Sequence, residues 1–439
     1  MTALPAPRII HTIEDVKKSK AFCLKPWNHL HISIFGKVAP CCLASIDDTY
    51  SLGDINEESF EQIWNGEKMR QFRLDMLQDK PNFRCHQCYT QEKMGLNSPR
   101  TFTNAGFMHH LPWALATKPD GTSLTAKPVT WDIRISNLCN FKCRICSHHS
   151  SSRWFKDAKA LGFERPQNES VWFDKSVNRG PKDFDLLMRQ IEFVIPELEE
   201  IYFAGGEPLV MDEHYLMLRK LIETGKTKVR LRYNTNFSRL VHKGINVLDL
   251  WQQFENTAVY ASLDDSGERG EFQRTGISWQ KAEANRIEML QKCPNTEFAV
   301  SATVSVFNLQ HLPDYHRNWV ERGFIKLNEF YTHILMNPPQ YSITILPQKI
   351  KARAEQKILE HLEWIKHYAS LHPEKISSPT YLAFIESELK GVLTYMNSKD
   401  DTHLIPRFID ISQKLDAMRH ENTASVFPEL KELWEQTSA

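Results

Sequence analysis

The chain has 439 residues, of which 41% are apolar and 25% charged, with 54 basic and 54 acidic side chains and a formal net charge of zero. That length suits one large domain with a satellite, or two to three domains, and the composition excludes disorder, collagen and coiled coil as its main character. Zero net charge leaves no overall field to draw in nucleic acid or anionic lipid, no apolar run is long enough to span a bilayer, and the N-terminus lacks the layout of a secretion signal.

A cytoplasmic location is therefore expected, where thiols stay reduced and cysteines serve metals more often than disulfides. There are nine cysteines, and all but Cys293 precede residue 147. Residues 1–100 hold Cys23, Cys41, Cys42, Cys85 and Cys88. His31 to Val38 alternates like a hairpin with Gly36 at its turn. Cys85 and Cys88 form a C-x2-C pair. Residues 101–130, with the Gly/Pro/Ser/Thr-rich run ATKPDGTSLTAKP, read as a linker.

Residues 131–347 alternate strand and helix patterns. Strands are predicted at 131–136, 198–206, 228–236, 258–264, 297–306 and 326–335, with helices such as 212–225 and 247–257 between them. This alternation implies a parallel sheet with right-handed crossovers, whose chemistry gathers at the C-terminal ends of the strands. Six such units make a partial barrel or a strongly curved sheet. Residues 348–439 read as almost purely helical, with helices at 350–371, 380–396, 406–420 and 427–434 that pack on the barrel. The insertion 150–183, with Trp154, Trp172 and Phe173, shapes a lid or is a solvated excursion.

The first barrel strand runs into Cys139, Cys143 and Cys146, spaced C-x3-C-x2-C. Three thiolates on one loop hold three irons of a [4Fe–4S] cube and leave the fourth open to a ligand. A zinc site completed by His148 or His149 is the alternative. The second strand ends in Gly205-Gly206-Glu207-Pro208, where two glycines let a ligand approach the backbone.

The C-x3-C-x2-C loop with Phe141 resembles the signature of the radical S-adenosylmethionine (SAM) superfamily. The resemblance implies an α/β fold: a partial (β/α)6 barrel, with a small N-terminal α+β cluster domain and a helical C-terminal extension. It also implies that SAM chelates the open iron and is cleaved reductively to a radical that abstracts a substrate hydrogen. By the same resemblance Phe141, Gly205, Gly206, Glu207, Asn236, Ser262, Asp264 and Arg274 are expected SAM contacts. Ordinary strand-end turns explain Asn236, Ser262 and Asp264 equally well.

The stretch from Cys23 through Gly36 and Cys41, with Leu52-Gly53-Asp54-Ile55 and an Ile63-Trp64 helix, closely resembles the SPASM and twitch auxiliary-cluster modules of such enzymes. With no cysteine between Cys88 and Cys139 it looks like the shorter twitch type. The resemblance implies Cys23, Cys41, Cys85 and Cys88 as ligands of a second [4Fe–4S] cluster; a zinc ribbon is the alternative. In most relatives this module follows the barrel; here it precedes it.

The chain is thus expected to be a radical SAM oxidoreductase that modifies a peptide or small metabolite. Its electron donor would be a reductase, flavodoxin or ferredoxin. The competing expectation is a non-catalytic iron–sulfur or zinc scaffold. Cys41, counted from Gly36, is the expected ligand and its neighbour Cys42 a plain thiol, as is Cys293.

Overall fold

A computed structural model describes residues 9–44, 50–93, 97–163, 176–376 and 379–435. Trp172 and Phe173 lie outside the described residues. Eleven strands are present among them: β1 (His29–Ile32), β2 (Lys37–Ala39), β3 (Gly53–Asp54), β4 (Thr130–Ile133), β5 (Glu200–Phe203), β6 (Arg230–Thr235), β7 (Val241–His242), β8 (Ile245–Asn246), β9 (Thr257–Ala261), β10 (Glu297–Val304) and β11 (Phe330–Ile334). β7 and β8 form a separate ribbon, and the other nine make one sheet, ordered β11-β10-β9-β6-β5-β4-β1-β2-β3.

All six predicted barrel strands are present, and every neighbouring pair from β4 to β11 is parallel. Their two faces have different jobs. Trp131, Ile133, Ile201, Phe203, Leu231, Tyr233 and Val259 are buried. They pack under the crossover helices, as Phe203 does against His214 of the helix Asp212–Glu223 and Tyr233 against Trp251 of the helix Val247–Trp251. The opposite, inner face is polar. Arg134 and Arg232 lie over the Tyr202 ring at 4.9 and 4.6 Å, and Tyr260 meets Tyr331 edge-on at 5.7 Å. A strand alternates its side chains, so a period of two separates this lining from the core.

The boundary between module and barrel differs from the expectation in two ways. First, β1 pairs in parallel with β4, from His29 opposite Thr130 to Ile32 opposite Ile133. The N-terminal hairpin therefore extends the barrel sheet, and the module of residues 1–100 is joined to the barrel through it. His31 carries the inner face across the join, with Nδ1 3.1 Å from the Asp132 carboxylate. Second, the expected linker 101–130 starts inside a helix, Pro99–Gly106, and continues through turns to the helix Leu111–Leu115. Ser98 and Thr101 form a capping box with Pro99 in the first turn, and Leu111 and Ala114 are buried. Helix-start chemistry outweighed the Gly/Pro-rich run, which lies further along.

The C-terminal helices, Gln348–Leu371, Pro379–Met396 and Ile405–Arg419, pack on the barrel as expected. The second covers the edge strand β11, where Phe384 meets Tyr331. No helix among the described residues is long and apolar enough to cross a membrane.

Candidate active site

The loop carrying Cys139, Cys143 and Cys146 leaves the C-terminal end of β4 and is held from three sides. From β5, the backbone N–H groups of Gly206 and Glu207 donate to the Ser136 and Leu138 carbonyls at 3.1 and 2.8 Å. A Cβ at Gly206 would stand 2.1 Å from the Leu138 oxygen, so only glycine fits, and Gly205 has φ +126°. From the segment after β9, the Gln273 and Thr275 carbonyls accept from the Arg144 and Lys142 N–H groups. From the 150–183 insertion, the Trp154 indole donates to the Cys143 carbonyl at 2.6 Å. That part of the insertion is loop support.

Glu207 is buried, and its carboxylate accepts from the Thr235 hydroxyl and the Asn236 N–H, both at 2.6 Å, and from the Leu209 N–H at 3.0 Å. Burial lifts its pKa to about 7, against those hydrogen bonds. The acid thus ties β5 to β6. Asn236 donates to the Asn140 side chain at 2.9 Å and accepts from Ser238, so it too braces the cluster loop. Phe141 is 1% exposed and packs against Gly276 beneath the loop. Phe141, Glu207 and Asn236, three of the expected SAM contacts, thus brace the cluster loop through these bonds and contacts. Ser262 is half-buried at the end of β9, its N–H bonded to the Thr235 carbonyl.

Arg274 and Asp264 come together over the cysteines. An Arg274 nitrogen lies 4.0 Å from Cys143 Sγ, and another donates to Asp264 at 2.8 Å. Asp264 also accepts from the Thr303 N–H at 2.8 Å. Burial raises the pKa of all three thiols, that of Cys146 to about 12, and Arg274 works against this at Cys143. Thiols held protonated in this way need an outside charge to ionise, and a metal or cluster supplies it. His148 packs against His149 at 4.1 Å, and His149 against Phe35 of the N-terminal hairpin at 5.8 Å.

Sequence reasoning missed the anchor beneath this loop. Arg144, between two of the cysteines, is wholly buried; it pairs with Asp416 and Glu421 and stacks on Phe272 at 4.2 Å. Arg419, over the Trp154 ring, bonds Asp157 and Thr275. The C-terminal helix Ile405–Arg419 is thus fastened to the cluster loop.

The second site lies in the N-terminal module. Cys23, Cys41, Cys85 and Cys88 line one recess, together with Lys25, Arg84 and Arg100. Burial raises the thiol pKa values, that of Cys23 to about 12, and Lys25 opposes this at Cys23 and Cys41. Four converging thiols ringed by cations fit a [4Fe–4S] cluster, which with four thiolates is an anion. Cys42 is absent from the lining and exposed, and the charges of Asp132 and Arg134 on the barrel's inner face act on its thiol.

Residues 23–89 match the family described as SPASM, iron–sulfur cluster-binding domain. This part of the chain is a SPASM domain. The expected partial barrel of six parallel strands, with a SPASM-type module on its N-terminal side and a helical C-terminal region, is borne out. No curated protein sequence matches the chain.

Similar solved structures include native anSMEcpe with bound AdoMet and Cp18Cys peptide, at 17% identity and TM-score 0.35, covering 52% of this chain and 58% of that one. Native anSMEcpe with bound AdoMet follows at 18% and 0.35, covering 54% and 60%. TYW1 with a lysine–pyruvate adduct bound aligns at 10% and 0.28, covering 55% and 71%. The chain spans less than two thirds of the anSMEcpe structures, and its fold assignment rests on its own strand order.

Proposed function

We propose that this chain is a radical SAM enzyme that carries out an oxidative modification of a peptide or small metabolite. The observation that carries the reading is the three-cysteine loop at the C-terminal mouth of a parallel half-barrel, with Arg274 set 4.0 Å from Cys143 Sγ. A [4Fe–4S] cluster with one open iron, when bound, supplies the electron that cleaves SAM to methionine and a 5′-deoxyadenosyl radical.

The chain's own residues do the rest. Cys139, Cys143 and Cys146 would hold that cluster, and Gly205, Gly206, Glu207 and Asn236 hold the loop against β5 and β6. Arg274 offers a fixed guanidinium to a carboxylate, its side chain aimed by Asp264. The polar inner face, with Arg134, Tyr202, Arg232 and Tyr260, would receive the substrate. Cys23, Cys41, Cys85 and Cys88 would hold the SPASM cluster. With all four irons ligated by protein, electron transfer suits it better than substrate binding. Cys42 is chain-adjacent to Cys41, and the inner-face charges of Asp132 and Arg134 reach its thiol, so it offers a route for an electron leaving the substrate.

Anaerobic reconstitution with iron and sulfide, then dithionite and SAM, tests this reading. About eight irons per chain and formation of 5′-deoxyadenosine are expected. Stoichiometric zinc without sulfide would refute it.

A further inference from the structure

At the opposite end of the sheet from the cysteine loop, three side chains converge where module and barrel meet. His109 and His110 sit on the turn before the helix Leu111–Leu115, and Glu199 leads into β5. One donor atom from each lies within 4.8 Å of the others, close enough for the three side chains to hold one metal ion. The Glu199 carboxylate is 2.8 Å from His110 Nε2 and 3.2 Å from His109 Nε2.

The group is built, with one open side. His110 is 3% exposed and stacks on Trp113 at 4.2 Å with rings nearly parallel. Glu199 is fixed by its backbone, its N–H donating to the Val129 carbonyl and its carbonyl accepting from the Arg230 N–H, both at 2.8 Å. His109 is exposed, so the face beyond it is open to water.

Asn28 completes the arrangement. Its amide lies 3.0 Å from His110 Nδ1 and is 1% exposed, and its Oδ1 has no partner. Oxygen and nitrogen of an amide are assigned from the bonding network, so a half-turn places Oδ1 on Nδ1. His110 Nδ1–H then donates to Asn28, and the Nε2 lone pair faces the carboxylate. The proton moves from Nε2 to Nδ1 and none is lost. An imidazole oriented by a carbonyl behind it is the usual support of a metal-bound histidine.

We propose that His109, His110 and Glu199 form a zinc site that pins the helical segment 99–115 to the start of β5. Two imidazoles and one carboxylate are ordinary zinc donors, and water would fill the fourth, open position. None of its three ligands lines the four-cysteine recess.

The full chain, reconstituted with iron and sulfide and desalted, is titrated with Zn²⁺ against a zinc-binding dye and read at the zinc absorption edge. One zinc per chain is expected, with only nitrogen and oxygen neighbours at about 2.0–2.1 Å and unchanged iron content. Asn28→Ala should weaken it about 10–100-fold, and His109→Ala with Glu199→Gln should abolish it. His109 is exposed and Glu199 partly so, so that pair of changes spares the core. Failure to bind zinc, sulfur neighbours at about 2.3 Å, or undiminished zinc in the double variant would each overturn the proposal.

Discussion

Cys41 and Cys42 are chain neighbours with different surroundings: Cys41 lines the four-thiol recess, and Cys42 lies outside that lining, under the charges of Asp132 and Arg134. Cys41→Ser should lose the SPASM cluster and Cys42→Ser keep it, read by iron content and Mössbauer spectra. Gly206 admits no side chain, so Gly206→Ala should cost about 1–3 kcal/mol and reduce iron held at the three-cysteine loop, measured by urea unfolding and iron analysis. A third residue-scale consequence lies under the C-terminal helix Gln348–Leu371. There the buried His316 and His361 share a 2.9 Å hydrogen bond, and His316 Nε2–H donates to the Leu327 carbonyl at 3.1 Å. Burial holds both imidazoles below the ordinary value of 6.5, and Arg317 adds to this at His361. Between pH 6.5 and their depressed values the unfolded chain binds more protons, so stability present above pH 6.5 is lost as pH falls. The limiting slope is about 1.4 kcal/mol per pH unit for each imidazole. His361→Phe should flatten that slope in urea melts; an unchanged slope would show that the pair does not govern it.

Elements were legible where a pattern is local. The six barrel strands follow from apolar runs ending in turn residues, and the three long C-terminal helices from their apolar faces. The cluster loop was legible because C-x3-C-x2-C is a short, specific spacing. The anchoring of that loop was not. Arg144 pairs with Asp416 and Glu421, more than 270 residues away, and no spacing announces such a contact. Nor did position at a strand end show that Glu207 and Asn236 also tie the strands to the cluster loop. That clamp makes the C-terminal helix part of the site. Arg144→Met leaves two carboxylates without their cation, and removing one partner of a buried pair costs about 3–5 kcal/mol. The urea midpoint should fall, and the loop should hold its iron less well while the SPASM recess keeps its own. Equal loss from both sites would mean general unfolding instead.

At the scale of the whole molecule, the module precedes the barrel, and the sheet shows how the two are joined. β1 sits directly beside β4, the first barrel strand, and the two pair in parallel. The sheet therefore runs unbroken from hairpin to barrel, and the inner face carries through His31 to Asp132. A fragment beginning at residue 99 would expose the β4 edge, and exposed edges template aggregation. It should be aggregated on gel filtration where the full chain is not; a well-behaved fragment would show that the module docks without being needed.

The central claim is that Cys139, Cys143 and Cys146 hold a cluster that opens SAM, with the SPASM cluster serving a later electron. The most direct measurement is 5′-deoxyadenosine formed by the reconstituted chain under dithionite. We predict that it forms with the native chain, disappears in Cys139→Ala, Cys143→Ala and Cys146→Ala, and persists in part in Cys23→Ala and Cys41→Ala. Undiminished 5′-deoxyadenosine from any of the first three variants would contradict the account.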